Sequence, residues 1–192
     1  MTVTDVNVVK SAIFERPDDA NKGTLGSLLC VCGSYGMAGA AVMSAKGALR
    51  TGIGLAKCAL PRSIYPIVAQ TILESVYYPL SENADGRISK VNVPFLVSES
   101  CKSSATLVGC GLGVCDDTLK IVFSLIENST TPLVLDADAL NCVAKQPEIL
   151  LRKKAPIIIT PHPGEMSRLT GLATPLVNAE RERVALDFAQ KY

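Results

Sequence analysis

Ser27-Leu-Leu-Cys-Val-Cys-Gly33-Ser-Tyr-Gly36-Met-Ala-Gly39-Ala40 is the stretch on which the fold turns. Residues 27–32 form a nearly continuous apolar run without alternation, the pattern of a parallel strand covered on both faces. Gly33, Gly36 and Gly39 then remove side chains from the turn that follows. From 38 to 51 the period becomes helical, with Val42, Ala45 and Leu49 on one face and Lys46 and Arg50 on another, solvated one. Strand, glycine turn and helix make the opening of a βαβ unit.

The same rhythm runs outward from this unit. Residues 54–60, 105–108, 132–135 and 156–159 read as further strands, with 72–78 as a weaker sixth. Residues 116–128 read as a helix with Leu119, Val122, Phe123 and Ile126 on its apolar face. Segments 138–143 and 165–170 read as short helices. Thr174 and Pro175 read as the cap and first-turn proline of a last helix that runs almost to the end. Strands alternating with helices predict a doubly wound α/β domain with a mostly parallel sheet.

Composition sets the outer limits. The 192 residues suit one domain. With 48% apolar and 19% charged residues, the chain is no disordered polyelectrolyte. A net charge of +1 supplies no field for nucleic acid or an anionic membrane surface, so neither partner is expected. The apolar runs stop short of the ~20 residues a membrane helix needs. The mixed, polar segment 1–21 lacks the apolar centre of a signal peptide. Seven cysteines with no C-x-x-C pair, beside a single histidine, offer no zinc set. They read as reduced, mostly buried thiols of a cytoplasmic protein.

In a sheet of this kind ligands bind beyond the carboxyl ends of the strands. Four strand ends here carry compact glycine-rich or polar segments, which a parallel sheet places along one edge. They are 33–40, Gly109-Cys-Gly111-Leu-Gly113, Asp136-Ala-Asp138-Ala-Leu-Asn141 and Thr160-Pro-His162-Pro-Gly164-Glu165. Gly33, Gly36 and Gly39 before a helix N-terminus suit an anion, although a tight strand-to-helix turn has the same needs. Gly109, Gly111 and Gly113 suit a ligand lying on bare backbone, or a plain loop. Asp136 ends a buried strand, where a carboxylate is costly unless used or paired. Asp138 also suits a helix cap. His162, held between Pro161 and Pro163, suits a hydrogen bond or ring contact with substrate. Glu165 is favoured by the following helix alone, and equally by a place near a metal-bound phosphate.

Three segments carry a resemblance. Residues 21–40, Leu135-Asp-Ala-Asp-Ala-Leu-Asn141 and Thr160-Pro-His-Pro-Gly-Glu165 resemble, in order and spacing, the ADP/ATP-dependent (S)-NAD(P)H-hydrate dehydratases. The resemblance implies the ribokinase-like fold, a three-layer α/β/α sandwich. It implies a lyase of metabolite repair that restores NADH or NADPH hydrated at the nicotinamide ring (NADHX or NADPHX). ADP or ATP, with Mg²⁺, would activate the ring hydroxyl as a phosphate ester, and elimination would follow. By motif, Ala40, Gly111 and His162 would contact the hydrated dinucleotide, with Lys22, Gly33, Ser34, Gly39 and Gly109 framing its pocket. Asp136 and Asn141 would lie toward phosphate transfer, and Glu165 would organise the Mg²⁺ shell through water, with no direct metal ligand.

Departures from the family are mild at Asn21, Cys32 and Ala38, where it often has His, Gly and Pro. A larger one lies at the C-terminus. The family continues past the position of Tyr192 into a Lys-Gly strand and an anion hole whose Asp is the catalytic base, so no catalytic residue is assigned in this chain. The expectation is therefore a single ribokinase-like domain, 1–192, incomplete at its C-terminus, inactive by itself and without the N-terminal epimerase domain of many relatives. A homo-oligomer, often a tetramer in related bacterial enzymes, and a functional link to an NAD(P)H-hydrate epimerase are also implied. A small-alcohol or vitamin-precursor kinase of the same fold and a non-catalytic nucleotide-binding module are the alternatives.

Overall fold

The computed structural model describes residues 18, 20 and 23–192, so Asn21 and Lys22 lie outside the described residues. The first unit is β1 (Ser27–Val31), the glycine turn, and helix α1 (Ala38–Arg50). β2 (Leu55–Pro61), α2 (Tyr65–Thr71), β3 (Val76–Leu80) and α3 (Val93–Cys101) come next. The chain then returns to β4 (Ala105–Val108), α4 (Asp116–Asn128), β5 (Leu133–Leu135) and α5 (Asp138–Val143). β6 (Ile157–Ile159), α6 (Pro163–Thr170), α7 (Thr174–Ala179) and α8 (Arg181–Lys191) complete it.

The six strands form one sheet in the order β3-β2-β1-β4-β5-β6, every neighbouring pair parallel. The chain winds outward from β1 to β3, then crosses back to β4 on the other side of β1. That reversal makes the β1–β4 junction the topological switch point, the place where open α/β sheets hold ligands.

Strand alternation sorts the core into two layers. Leu29 and Val31 of β1 pack with α3 to α8, through Leu96, Ile121, Val122, Leu125, Leu140 and Phe188 among others. Cys30 and Cys32 face the opposite way, onto Ala41 and Ala45 of α1 and Val68 of α2. Each fully buried Leu or Ile contributes about 1.5–3 kcal/mol. The second layer thins toward β6. Register carries the Cys30 face through Leu107 and Val134 to Ile158, and Ile158 is 60% exposed.

Several local expectations shift. The sixth strand is 76–80, not 72–78: Ile72 ends α2 and is buried behind it. Pro79, which cannot donate to a ladder, is tolerated because β3 is an edge strand. Helices α2 and α3 were not anticipated. The buried stripe of α4 is Ile121, Val122, Leu125 and Ile126, while Leu119 and Phe123 are only partly covered. The last helix is two, broken at Glu180, and Ala173 rather than Thr174 is the cap position of the first.

Candidate functional site

The glycine turns after β1 and β4 meet at the switch point. Gly33 N–H donates to the Cys110 carbonyl at 2.9 Å. The Ser34 hydroxyl, 2% exposed, donates to the Gly111 carbonyl at 2.9 Å. Gly111 has φ +64, and a Cβ there would lie 2.7 Å from Cβ of Ala40. Gly33 has φ +84, and its Cβ would press on Ile64 and Ala41. Gly33, Ser34, Ala40 and Gly111 therefore form one contact group. Gly39 differs from this group: a Cβ there would meet nothing within 4 Å. No side chain caps α1, so the dipole of this 13-residue helix faces the open ground beside Gly39.

The loop after β3 walls one side. Tyr35 N–H donates to the Gly86 carbonyl at 2.9 Å, and Arg87 packs over Gly113. Tyr35, Ser63, Glu82, Asn83, Asp85 and Gly86 line a polar recess of about 410 Å³ there.

The turns after β5 and β6 join from the other side. Asp136 accepts from the Thr160 hydroxyl at 2.8 Å through one oxygen and from the Cys110 thiol at 3.4 Å through the other. Gly109, expected at the pocket, is required for packing: its Cβ would fall 1.9 Å from the Asp136 carbonyl oxygen. Asp138 does not cap α5. It is the first residue of that helix and accepts from Gly113 N–H at 2.8 Å and from the Asn141 amide at 3.3 Å. The cap position is Ala137, the one non-glycine with positive φ among the described residues, at φ +49 and ψ −115. Asn141 in turn accepts from Arg168 Nε of α6 at 2.8 Å.

His162 and Glu165 form a unit at the start of α6. Nδ1 of His162 accepts from Gly164 N–H at 3.0 Å, and Glu165 Oε2 accepts from His162 N–H at 2.9 Å. Nε2 of His162 faces Glu165 Oε1 at 3.2 Å. Glu165 is 5% exposed, whereas the imidazole is 62% exposed. A backbone N–H cannot reverse its role, so Nδ1 is the accepting nitrogen in this contact. Glu165 thus holds the His162 backbone through Oε2, with Oε1 lying toward the imidazole.

Cys110, Thr160 and Arg168 received no role from the sequence, and the structure joins all three to Asp136 or Asn141. Their partners lie 24 to 27 residues away along the chain, beyond the reach of any local pattern. Among the described residues no group of three or more His, Cys, Asp or Glu side chains could hold a metal ion by itself. The carboxylate of Asp136 fits the other arrangement, in which Mg²⁺ arrives with nucleotide phosphates and takes one or two carboxylates. A larger apolar cavity, about 720 Å³, runs along β6 and α8. It shares Thr160, Pro161 and Pro163 with this site but none of the glycine turns.

The comparisons with known proteins agree on one family. A family model described as NAD(P)H-hydrate dehydratase matches residues 28–192. A bifunctional NAD(P)H-hydrate repair enzyme of Thermofilum pendens is 38% identical over 176 residues, 92% of this chain and 34% of that protein. An ADP-dependent (S)-NAD(P)H-hydrate dehydratase of Neisseria meningitidis is 32% identical over 169 residues, 86% of this chain and 53% of that protein. The crystal structure of the ADP/ATP-dependent NAD(P)H-hydrate dehydratase from Bacillus subtilis, co-crystallised with ATP/Mg²⁺, superposes with a TM-score of 0.75 at 27% identity. That match covers 95% of this chain and 61% of the other. This chain spans about a third to about half the length of these curated relatives. With its parallel sheet, its glycine turns meeting at the switch point and these matches, the chain belongs to the NAD(P)H-hydrate dehydratase family.

Proposed function

We propose that this chain serves the ADP- or ATP-dependent dehydration of (6S)-hydrated NADH and NADPH. The observation that carries the reading is the junction of the β1 and β4 turns. Ser34 is tied to Gly111, Ala40 sits against Gly111, and Gly39 opens onto empty space, in a chain of this family. The hydrated dinucleotide lies over Gly39, Ala40 and Gly111, and the N-terminus of α1 favours its anionic groups. Lys22, outside the described residues, joins this pocket by motif.

Asp136 and Asn141 stand toward the nucleotide phosphates. When bound, Mg²⁺ neutralises phosphate charge, and Asp136 is the carboxylate placed to meet it. His162 presents an exposed imidazole face to the ring of the substrate, while its two nitrogens and Glu165 hold its orientation. The seven unpaired cysteines support a reducing, cytoplasmic location, and among the described residues no helix is long and apolar enough to cross a membrane. The name of the bifunctional Thermofilum relative supports a second repair activity working beside this one, and the resemblance implies that it is an epimerase.

Separate calorimetric titrations with (6S)-hydrated NADH and with ADP/Mg²⁺ test the reading. Saturable binding of hydrated NADH to the folded protein is expected. A cooperatively folded protein that gives no heat or fluorescence change with hydrated NADH overturns it.

A further inference from the structure

We propose that Arg168 is a positioning residue of the dinucleotide pocket: through Asn141 and Asp138 it fixes the Gly113 amide, and so holds the 109–113 loop in place against the helix that His162 heads. The purpose of this relay rests on the dinucleotide reading, whereas the relay itself can be measured without any ligand.

The relay is three hydrogen bonds, each with one direction. Arg168 of α6 donates from Nε to Asn141 Oδ1 at 2.8 Å. Asn141 Nδ2 donates to Asp138 Oδ1 at 3.3 Å. Asp138 Oδ2 accepts from Gly113 N–H at 2.8 Å. Asp138 and Asn141 both belong to α5 and, three positions apart, share one face of it. The bonds therefore cross from α6 over α5 to the turn after β4. Gly111 lies two residues before one end, and His162 is the cap of the helix at the other. Gly111 and His162 are the proposed neighbours of the dinucleotide on the two flanks of the site.

The direction of the relay is set at Arg168. A guanidinium only donates and a carboxylate only accepts, while an asparagine amide offers one edge of each kind. With Arg168 beside it, Oδ1 of Asn141 turns to the guanidinium and Nδ2 is left for Asp138. Without Arg168 the amide is free to turn over and set its oxygen against the Asp138 carboxylate. Asp138 then loses a partner on one oxygen while its other oxygen holds the N–H of a buried glycine. Gly113 has little room to follow a shift of Asp138: its φ is +77, and the Arg87 side chain lies over it. A buried N–H left without an acceptor is costly, so the loop rearranges, and Gly111 moves with it.

Arg168 is suited to this duty rather than to holding the core. It is exposed, in the last turn of α6, so its loss opens no cavity. A plain surface link between α5 and α6 would leave the Gly113 amide, in a third segment of the chain, untouched.

The test uses ¹⁵N-labelled protein, read first without ligand. Arg168→Met should shift the Gly113 amide resonance and speed its hydrogen exchange about tenfold, with urea unfolding little changed. Arg168→Lys, which keeps a donor, should restore most of the effect. In an Asp138→Ala background, where the relay is already cut, Arg168→Met should add nothing. By calorimetry, hydrated NADH should bind Arg168→Met about three- to tenfold more weakly than wild type. An unchanged Gly113 amide in Arg168→Met, additive effects of the two substitutions, or equal affinity of wild type and Arg168→Met for hydrated NADH overturns the proposal. A wild-type protein that binds no hydrated NADH overturns the dinucleotide reading instead, and exchange at Gly113 still decides the relay. Should Arg168→Met fail to fold, Arg168→Ala takes its place.

Discussion

Ala137 holds an unusual backbone at φ +49 and ψ −115, between Asp136 and Asp138. Such a conformation costs a Cβ-bearing residue on the order of 1–3 kcal/mol. It persists because both flanks are pinned: Asp136 N–H donates to the Val108 carbonyl at 3.0 Å and Ala139 N–H to the Asp136 carbonyl at 3.0 Å. Ala137→Gly should relieve the strain, in part against the greater freedom of glycine in the unfolded chain. We expect urea unfolding to show a gain of about 1 kcal/mol, and a net loss would show that this backbone is not strained. The glycines around it were legible in sequence as a cluster at strand ends. Their separate duties were not. Gly33 and Gly109 answer to Ile64 and Asp136, which are distant in sequence, while Gly39 answers to open space. An alanine with positive φ leaves no mark in sequence at all.

Elements were legible where their pattern was long. β1, β4, α1 and α4 carry runs or periods that tertiary packing does not override. α2 spans only 65–71 and α3 only 93–101, and short helices show barely two turns of period. Each begins with a proline in its first turn, which marks a start only to a reader who already expects a helix. α3 also carries an ion network. Glu99 of α3 accepts from Lys102 at 2.9 Å and from the Tyr78 hydroxyl at 3.1 Å, with Lys57 of β2 at 3.6 Å. The Lys102 hydrogen bond, aided by Tyr78 and Lys57, holds the Glu99 carboxyl below its ordinary range. The folded state thus binds fewer protons than the unfolded one in acid. The contribution is complete above the ordinary carboxylate range and is lost as pH falls through the lowered value. Glu99→Gln should lower the melting temperature near neutral pH, and its gap from wild type should close in acid. A gap that stays constant across pH would place the effect in packing.

At the scale of the whole molecule, strand order does most to make the site. Winding out to β3 and back to β4 brings residues 33–40 against 109–113 and aligns 136–141 and 160–165 beside them. That the four segments share an edge was legible from alternation alone, but which two would touch required the order of strands. The opposite flank is less finished. β6 is an edge strand with Ile158 exposed beside an apolar cavity, and such edges pair with other chains. Light scattering should show concentration-dependent association of residues 1–192, reduced by Ile158→Lys. Association unaffected by that change would locate the contact elsewhere.

The switch point is tested most directly by Gly39→Leu. A Cβ at Gly39 meets nothing within 4 Å, and the position is exposed, so folding stability should be unchanged or slightly raised. The leucine side chain would occupy the ground assigned to the dinucleotide. Calorimetry should then show hydrated NADH binding at least about tenfold more weakly than to wild type, a loss of about 1.4 kcal/mol. Equal affinity in a stably folded Gly39→Leu protein would contradict a dinucleotide pocket at the β1–β4 junction.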